Sequence, residues 1–274
     1  MSNLVSTTWQ SAHLHDADLV VLDATWHLPT LKRNAREEFN AAHIPGARFF
    51  DLDKVSDTST TLPHMLPSAG SFAANMGALG VGGDTMVVAY DSYGLFSAAR
   101  CWWMFKVFGH DKVAVLDGGL KKWRAEGRAV ESEDAVPVIP KTFTSKFNAG
   151  MVRSMGEVAS NKAIVVDARS PTRFRGEEPE PRPGVKPGHM PGAANLHYAK
   201  LVSSDGTLLP KPALAAAFQE AGINTAEPLI TSCGSGVTAA ILSLALTELA
   251  APDHALYDGS WAEWGASENK IVLG

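Results

Sequence analysis

The sequence predicts an α/β protein built as two tandem domains, each a mostly parallel sheet with helices on both faces. Three observations carry that expectation. Short apolar, strand-like runs alternate with longer helical patterns along the chain. The alternation is written twice, in the same order. A stretch rich in charge and proline, "ESEDAVPVIPKTF", falls between the two copies. The expected boundaries are 1–134 for the first domain, 135–149 for the linker and 150–274 for the second domain.

Each element follows from its segment. "VVLDATW" at 20–26 matches "IVVDARS" at 164–170, an apolar strand ending in Asp23 or Asp167. "HIPGARFFDL" at 43–52 matches "HMPGAANLHY" at 189–198, so His43 and His189 read as paired fold elements. A polar-apolar helix comes next ("SFAANMGALG", "PALAAAFQEAG"). A second strand, a tight turn and a long helix follow in "MVVAYDSYGLFSAA" and "PLITSCGSGVTAA". The last strand ends in Asp117-Gly118 or Asp258-Gly259, ahead of a Trp-bearing helix. The offsets, about 141 to 146 residues, are far too long for a solenoid unit and mark a duplicated domain.

Composition narrows the function classes. The 274 residues are 45% hydrophobic and 19% charged, an ordinary globular balance. A formal net charge of -5 supplies no broad basic field, so nucleic acid is not an expected partner. No apolar run approaches the roughly 18 residues of a membrane span. The N-terminal stretch lacks a basic region followed by an unbroken apolar core. Two cysteines argue against a disulfide framework and fit a reducing, cytoplasmic setting. No Cys/His cluster has metal-ligand spacing, so neither a metal nor an organic cofactor is expected.

In parallel sheets ligands bind beyond the carboxyl ends of the strands. The second-copy turn "SCGSGVTA" at 232–239 is such a place. Cys101, among Trp and Phe in "AARCWWMFKVFG", reads as a packing residue, since free cysteine is commonly buried. Cys233 differs, because Gly234, Ser235 and Gly236 follow it before a helix begins. Successive amides of such a turn and the positive end of the helix form an anion nest, which favours thiolate over thiol. The first copy carries Asp91 in place of Cys233 while Gly94 still matches Gly236. The turn therefore belongs to the fold and the thiol to one copy, which assigns the chemistry to the second domain.

Three chemistries compete for this loop. "GSGVTA" satisfies a dinucleotide fingerprint, but only 16 residues follow Asp258, too few for the rest of such a domain. A Cys-x5-Arg phosphatase needs arginine where Ala239 stands. A thiolate that attacks sulfur and holds it as a persulfide, stabilised by the loop amides, fits the residues present.

With "CGSGVT" in a second domain, a first half lacking that cysteine, "HIPGA"/"HMPGA" and "DGG"/"DGS", the chain resembles a two-domain rhodanese-type sulfurtransferase over essentially its whole length. The neutral loop Cys233-Gly234-Ser235-Gly236-Val237-Thr238 is similar to the 3-mercaptopyruvate branch; thiosulfate sulfurtransferases typically carry a basic loop there. The resemblance implies that Arg173 and Arg182, in "TRFRGEEPEPRPGVKPGH", bind the carboxylate and ketone of 3-mercaptopyruvate, which a guanidinium fork suits. It implies a Ser235–His64–Asp53 relay, with His64 and Asp53 drawn from the first domain across the cleft. It further implies a thiol acceptor such as a thioredoxin-like protein. A thiosulfate-preferring enzyme and a non-catalytic sulfur-binding module are the alternatives.

Overall fold

In a computed structural model that describes residues 2–132, 137–160 and 162–274, the chain forms two compact units. The first gathers Met1–Thr58, Pro67–Asn148 and Ser204–Leu208; the second gathers Ser59–Leu66, Ala149–Ser203 and Leu209–Gly274. The expected boundary at 134/135 lies outside the described residues. Residues 137–148, expected as linker, pack with the first unit instead. The physical reason is Phe143, 6% exposed, whose ring meets Phe72, Phe105 and His110.

In the first unit, strands β1 (Leu4–Val5), β2 (Leu19–Asp23), β3 (Arg48–Phe49), β4 (Met86–Tyr90) and β5 (Val113–Leu116) form a parallel sheet in the order β1-β5-β4-β2-β3. Between them run α1 (Thr7–His13), α2 (Ala35–Ala41), α3 (Leu52–Val55), α4 (Ala69–Ala78), α5 (Ala98–Val107) and α6 (Gly119–Ala125). Strand residues alternate between faces. Val21, Val88, Tyr90 and Leu116 bury against Phe39 of α2 and Leu120 and Trp123 of α6.

The second unit repeats this plan with β6 (Val152–Arg153), α7 (Met155–Ser160), β7 (Ile164–Asp167), α8 (Pro171–Arg175), β8 (Ala194–Asn195), α9 (Lys211–Glu220), β9 (Leu229–Ser232), α10 (Ala239–Glu248), β10 (His254–Tyr257) and α11 (Ser260–Trp264). Its parallel order, β6-β10-β9-β7-β8, is the same topology. The α/β expectation of two parallel sheets with helices is met in both units. The shared details are fine-grained. Thr25 N–H donates to Asp23 Oδ1 and Arg169 N–H to Asp167 Oδ1, each at 2.9 Å. His43 stacks on Phe39 and His189 on Phe174, each with Nδ1 against that phenylalanine's carbonyl oxygen. These histidines close the fold, as their pairing in the repeat implied.

The order places β2 beside β4, and β7 beside β9, where the winding of the chain reverses. Crevices open at such switch points, beyond the carboxyl ends of the strands. The Asp91 and Cys233 turns both lie there.

Candidate active site

Cys233 follows directly on β9 and is 2% exposed. Its own N–H donates to Ser260 Oγ at 3.2 Å, and that hydroxyl donates in turn to the Tyr257 carbonyl at 2.8 Å. The carbonyls of Cys233 and Gly234 accept from the N–H groups of Trp261 and Ala262 in α11, both at 2.9 Å. The loop's carbonyls are thus held by the neighbouring helix. Gly236 turns the chain with φ 76°, the left-handed region open to glycine. Among the described residues, the amides of Gly234, Ser235, Gly236, Val237 and Thr238 donate no hydrogen bond. Buried donors of this kind are ordinarily paired. Val237 is buried beneath the loop, and Thr238 is the N-cap residue of α10.

The first unit shows what such a loop accepts. Asp91 Oδ1 receives the amides of Tyr93 (2.9 Å) and Gly94 (3.1 Å), and Oδ2 those of Phe96 (2.7 Å) and Ala98 (2.9 Å). Burial pushes this carboxyl above its ordinary value, and the four amides pull in the opposite direction. The turn is therefore a cradle of amides that, in the first unit, closes on its own side chain's carboxyl oxygens. In the second unit a thiol occupies the corresponding position.

Two guanidinium groups stand over the loop. A β-carbon built on Gly234 would lie 3.2 Å from Arg173 Nη2 and 3.7 Å from Arg182 Nη1. Arg182 Nη2 also donates to Ser235 Oγ at 3.4 Å. Arg173 projects from α8, a short helix capped by Ser170 and opened by Pro171. Its Nε and Nη2 donate to Glu180. Glu180, paired with Arg173 in this way, has a side chain only 3% exposed. Glu177 and Glu178 are bound elsewhere, to Arg175 and to the Ser170 hydroxyl.

Behind Arg173 lies a network that the sequence did not single out. Arg169, its side chain 1% exposed, forks onto both Asp167 oxygens and reaches Glu180 Oε1 at 2.7 Å and the Gly188 carbonyl at 2.8 Å. Its guanidinium lies 4.4 Å from the centre of a Trp261 ring. A signal was present in the repeat: Arg169 matches Thr25, so it is one of the positions the copies do not share.

His64 is placed differently from the expectation. It was expected from the first domain, yet its segment, Ser59–Leu66, packs with the second unit. Leu66 N–H donates to Asp258 Oδ2 at 2.7 Å, and His64 itself takes φ 60°, sparsely populated for a non-glycine residue. Its Nδ1 lies 2.9 Å from Ser235 Oγ, and both residues are 5% exposed. Asp53 lies on α3 of the first unit, where it accepts from Trp26 Nε1 at 3.2 Å. The second unit therefore brings Cys233, Ser235, His64, Arg173 and Arg182 to one loop. Among the described residues no group of three His, Cys, Asp or Glu is arranged to hold a metal, and no helix is long and apolar enough to cross a membrane.

Comparison with known proteins bears on the fold and the family. The model of the rhodanese-like domain matches the chain twice, at residues 6–126 and 154–267. Human 3-mercaptopyruvate sulfurtransferase is 42% identical over 95% of this chain and 91% of its own length. The Arabidopsis thaliana protein named thiosulfate/3-mercaptopyruvate sulfurtransferase 2 is 45% identical, covering 99% of this chain and 86% of that one. Among solved structures, SseA from Escherichia coli, described as a 3-mercaptopyruvate sulfotransferase with the rhodanese fold, superposes with TM-score 0.87. It shares 40% identity, and the match covers 95% of this chain and 99% of that one.

Proposed function

From the premise that the chain belongs to the rhodanese-like family and carries two such domains in tandem, we propose that it transfers sulfur from 3-mercaptopyruvate through a persulfide on Cys233. The observation that carries this reading is the loop itself, with a buried thiol, amides without acceptors among the described residues, and two arginines above it. Arg173 and Arg182 clamp the substrate carboxylate and ketone, which aims the substrate sulfur at Cys233. The Cys233 thiolate attacks that sulfur. An S–S bond forms, the substrate C–S bond breaks, and its electron pair leaves on the pyruvate enolate. The arginines and loop amides stabilise the enolate charge. The substrate's thiol proton passes through Ser235 and His64 to the enolate carbon, releasing pyruvate and leaving the persulfide anion in the nest. Asp53 enters this reading only as the third relay member that the family resemblance implies. The persulfide then gives its outer sulfur to a thiol acceptor, such as a thioredoxin-like protein, and Cys233 returns as thiolate. A reducing, cytoplasmic setting follows in this reading from two cysteines that form no disulfide with each other.

Thiosulfate is the alternative donor, because relatives are named for both substrates; a thiosulfate sulfurtransferase from Cricetulus griseus is 40% identical. The deciding experiment incubates the protein with each donor separately and measures pyruvate together with the mass of the Cys233 peptide. The expected result is a gain of one sulfur on Cys233 and stoichiometric pyruvate with 3-mercaptopyruvate. Faster sulfur loading from thiosulfate refutes the donor assignment. A Cys233→Ser protein with full sulfur transfer refutes the catalytic one.

A further inference from the structure

The first unit has an open crevice of about 350 Å³ at its own switch point, between α2 and α6, lined by Asp23, Thr25, Arg33, Glu38, Leu120 and the rim residues Lys121 and Arg124 among others. The second unit shows why space exists there. At the matching place Arg169 fills the crevice with its own side chain. It pairs with Asp167 and Glu180, donates to the Gly188 carbonyl and packs on Trp261. The repeat makes Asp23 the counterpart of Asp167, Ala42 that of Gly188 and Leu120 that of Trp261; Glu38, on the wall, is already held by Arg33, so Asp23 is the carboxylate left to receive a guanidinium. Thr25 stands where Arg169 would be. The receptor for a guanidinium is thus retained in outline, and the side chain that would fill it is gone.

The charges agree. Asp23 is 2% exposed, and burial raises its carboxyl to about 6, with buried Asp91 adding to the rise and hydrogen bonds from Thr25 and Tyr90 opposing it. Among the described residues Asp23 receives no guanidinium fork of the kind that Arg169 makes on the Asp167 oxygens. The cations around the crevice are otherwise placed. Arg33 forks onto Glu38, which also faces His27, and Lys121 Nζ reaches the Ser204 carbonyl. Lys121 and Arg124 are exposed on α6, so positive charge sits at the rim and negative charge at the floor.

We infer that this crevice is a binding site for a small guanidino acid, its guanidinium seated on Asp23 where Arg169 sits on Asp167 in the second unit, and its carboxylate directed to Lys121 and Arg124. No bond is made or broken, and the site is separate from the sulfur chemistry. The test is calorimetric titration of the full chain with 4-guanidinobutyrate, with butyrate and propylguanidinium as partial probes. Saturable binding of the guanidino acid is expected, with each partial probe weaker by about tenfold or more, the scale of one lost charge-assisted contact. Asp23→Asn removes the floor charge, Thr25→Arg refills the space with the missing side chain, and Arg124→Glu reverses the rim; all three should abolish or strongly weaken binding. Circular dichroism and chemical denaturation of the same variants report that the first unit is folded. Absence of saturable binding to the unmodified chain, binding that survives both Asp23→Asn and Thr25→Arg, or butyrate binding as tightly as the guanidino acid each overturns the inference.

Discussion

Changing Glu180 to glutamine removes one negative charge from between two arginines and keeps the shape of the side chain. In the structure this carboxylate receives Arg169 Nη1 and both Nε and Nη2 of Arg173, while being 3% exposed. A glutamine offers one acceptor oxygen, and its amide presents donors to guanidinium donors. Breaking a buried pair by removing one partner costs about 3–5 kcal/mol. Arg173 is 20% exposed and has water as an alternative partner, so the lower end, about 3 kcal/mol, is expected in chemical denaturation. A second consequence concerns substrate. Released from Glu180, Arg173 must be immobilised again over Gly234 at each binding event, which costs about 0.5–1.5 kcal/mol. That corresponds to a rise in KM for 3-mercaptopyruvate of roughly 2- to 13-fold, with kcat much less affected. Steady-state pyruvate release measures both constants, and Glu180→Asp should recover part of the KM. A variant that loses the stability yet keeps its KM would show that Glu180 holds the fold without positioning Arg173, and the argument would be wrong.

Three other perturbations have clear expectations. Asp23, with its carboxyl raised to about 6 from an ordinary 3.8, binds its proton more tightly when folded, so its contribution to stability falls as pH rises through that window. Asp23→Asn should therefore gain on the native protein by about 3 kcal/mol across the whole window, roughly half of it between about pH 5 and 7, in denaturation curves; a pH-independent difference refutes this. Gly94→Ala puts a β-carbon 2.6 Å from the Gly206 Cα at φ 112°, a backbone clash, and should cost more than about 2 kcal/mol in denaturation experiments. Gly234→Ala leaves 3.2 Å to Arg173 Nη2, so it should raise the KM for 3-mercaptopyruvate severalfold in steady-state assays with little loss of stability.

The duplicated plan was legible because strand-end aspartates, His-x-Pro-Gly-Ala and Asp-Gly recur in order. The strand-end aspartates each take the amide two residues on, and the two histidines each meet a phenylalanine carbonyl, in both units. The Cys233 turn was legible for the same reason in reverse, since a shared glycine framed an unshared thiol. Arg173 and Arg182 came from the family resemblance, and the structure brings them over Gly234. The unit to which His64 belongs was not legible. It depends on a left-handed backbone at a histidine and on one bond from Leu66 to Asp258, 192 residues further along the chain. Nor was the packing of residues 137–148, where one phenylalanine in a charged, proline-rich stretch sets the course of the chain. Nothing in the sequence sets Glu180 apart from Glu177 and Glu178; only the fold distinguishes it, by burying it against Arg169.

The Asp91 loop has a consequence for how the catalytic loop operates through a turnover cycle. In the first unit the cradle is loaded once, at folding, by a carboxyl group that never leaves. In the proposed cycle the Cys233 loop has a cargo that changes, bare sulfur in one half and persulfide in the other. A loop shaped by its cargo would have to reshape with each exchange. Here the bonds from Trp261 and Ala262 to the carbonyls of Cys233 and Gly234 fix the loop from outside, independently of what the amides hold. The cost of ordering the cradle falls on folding, so loading and unloading sulfur demand no reordering of the backbone that receives it.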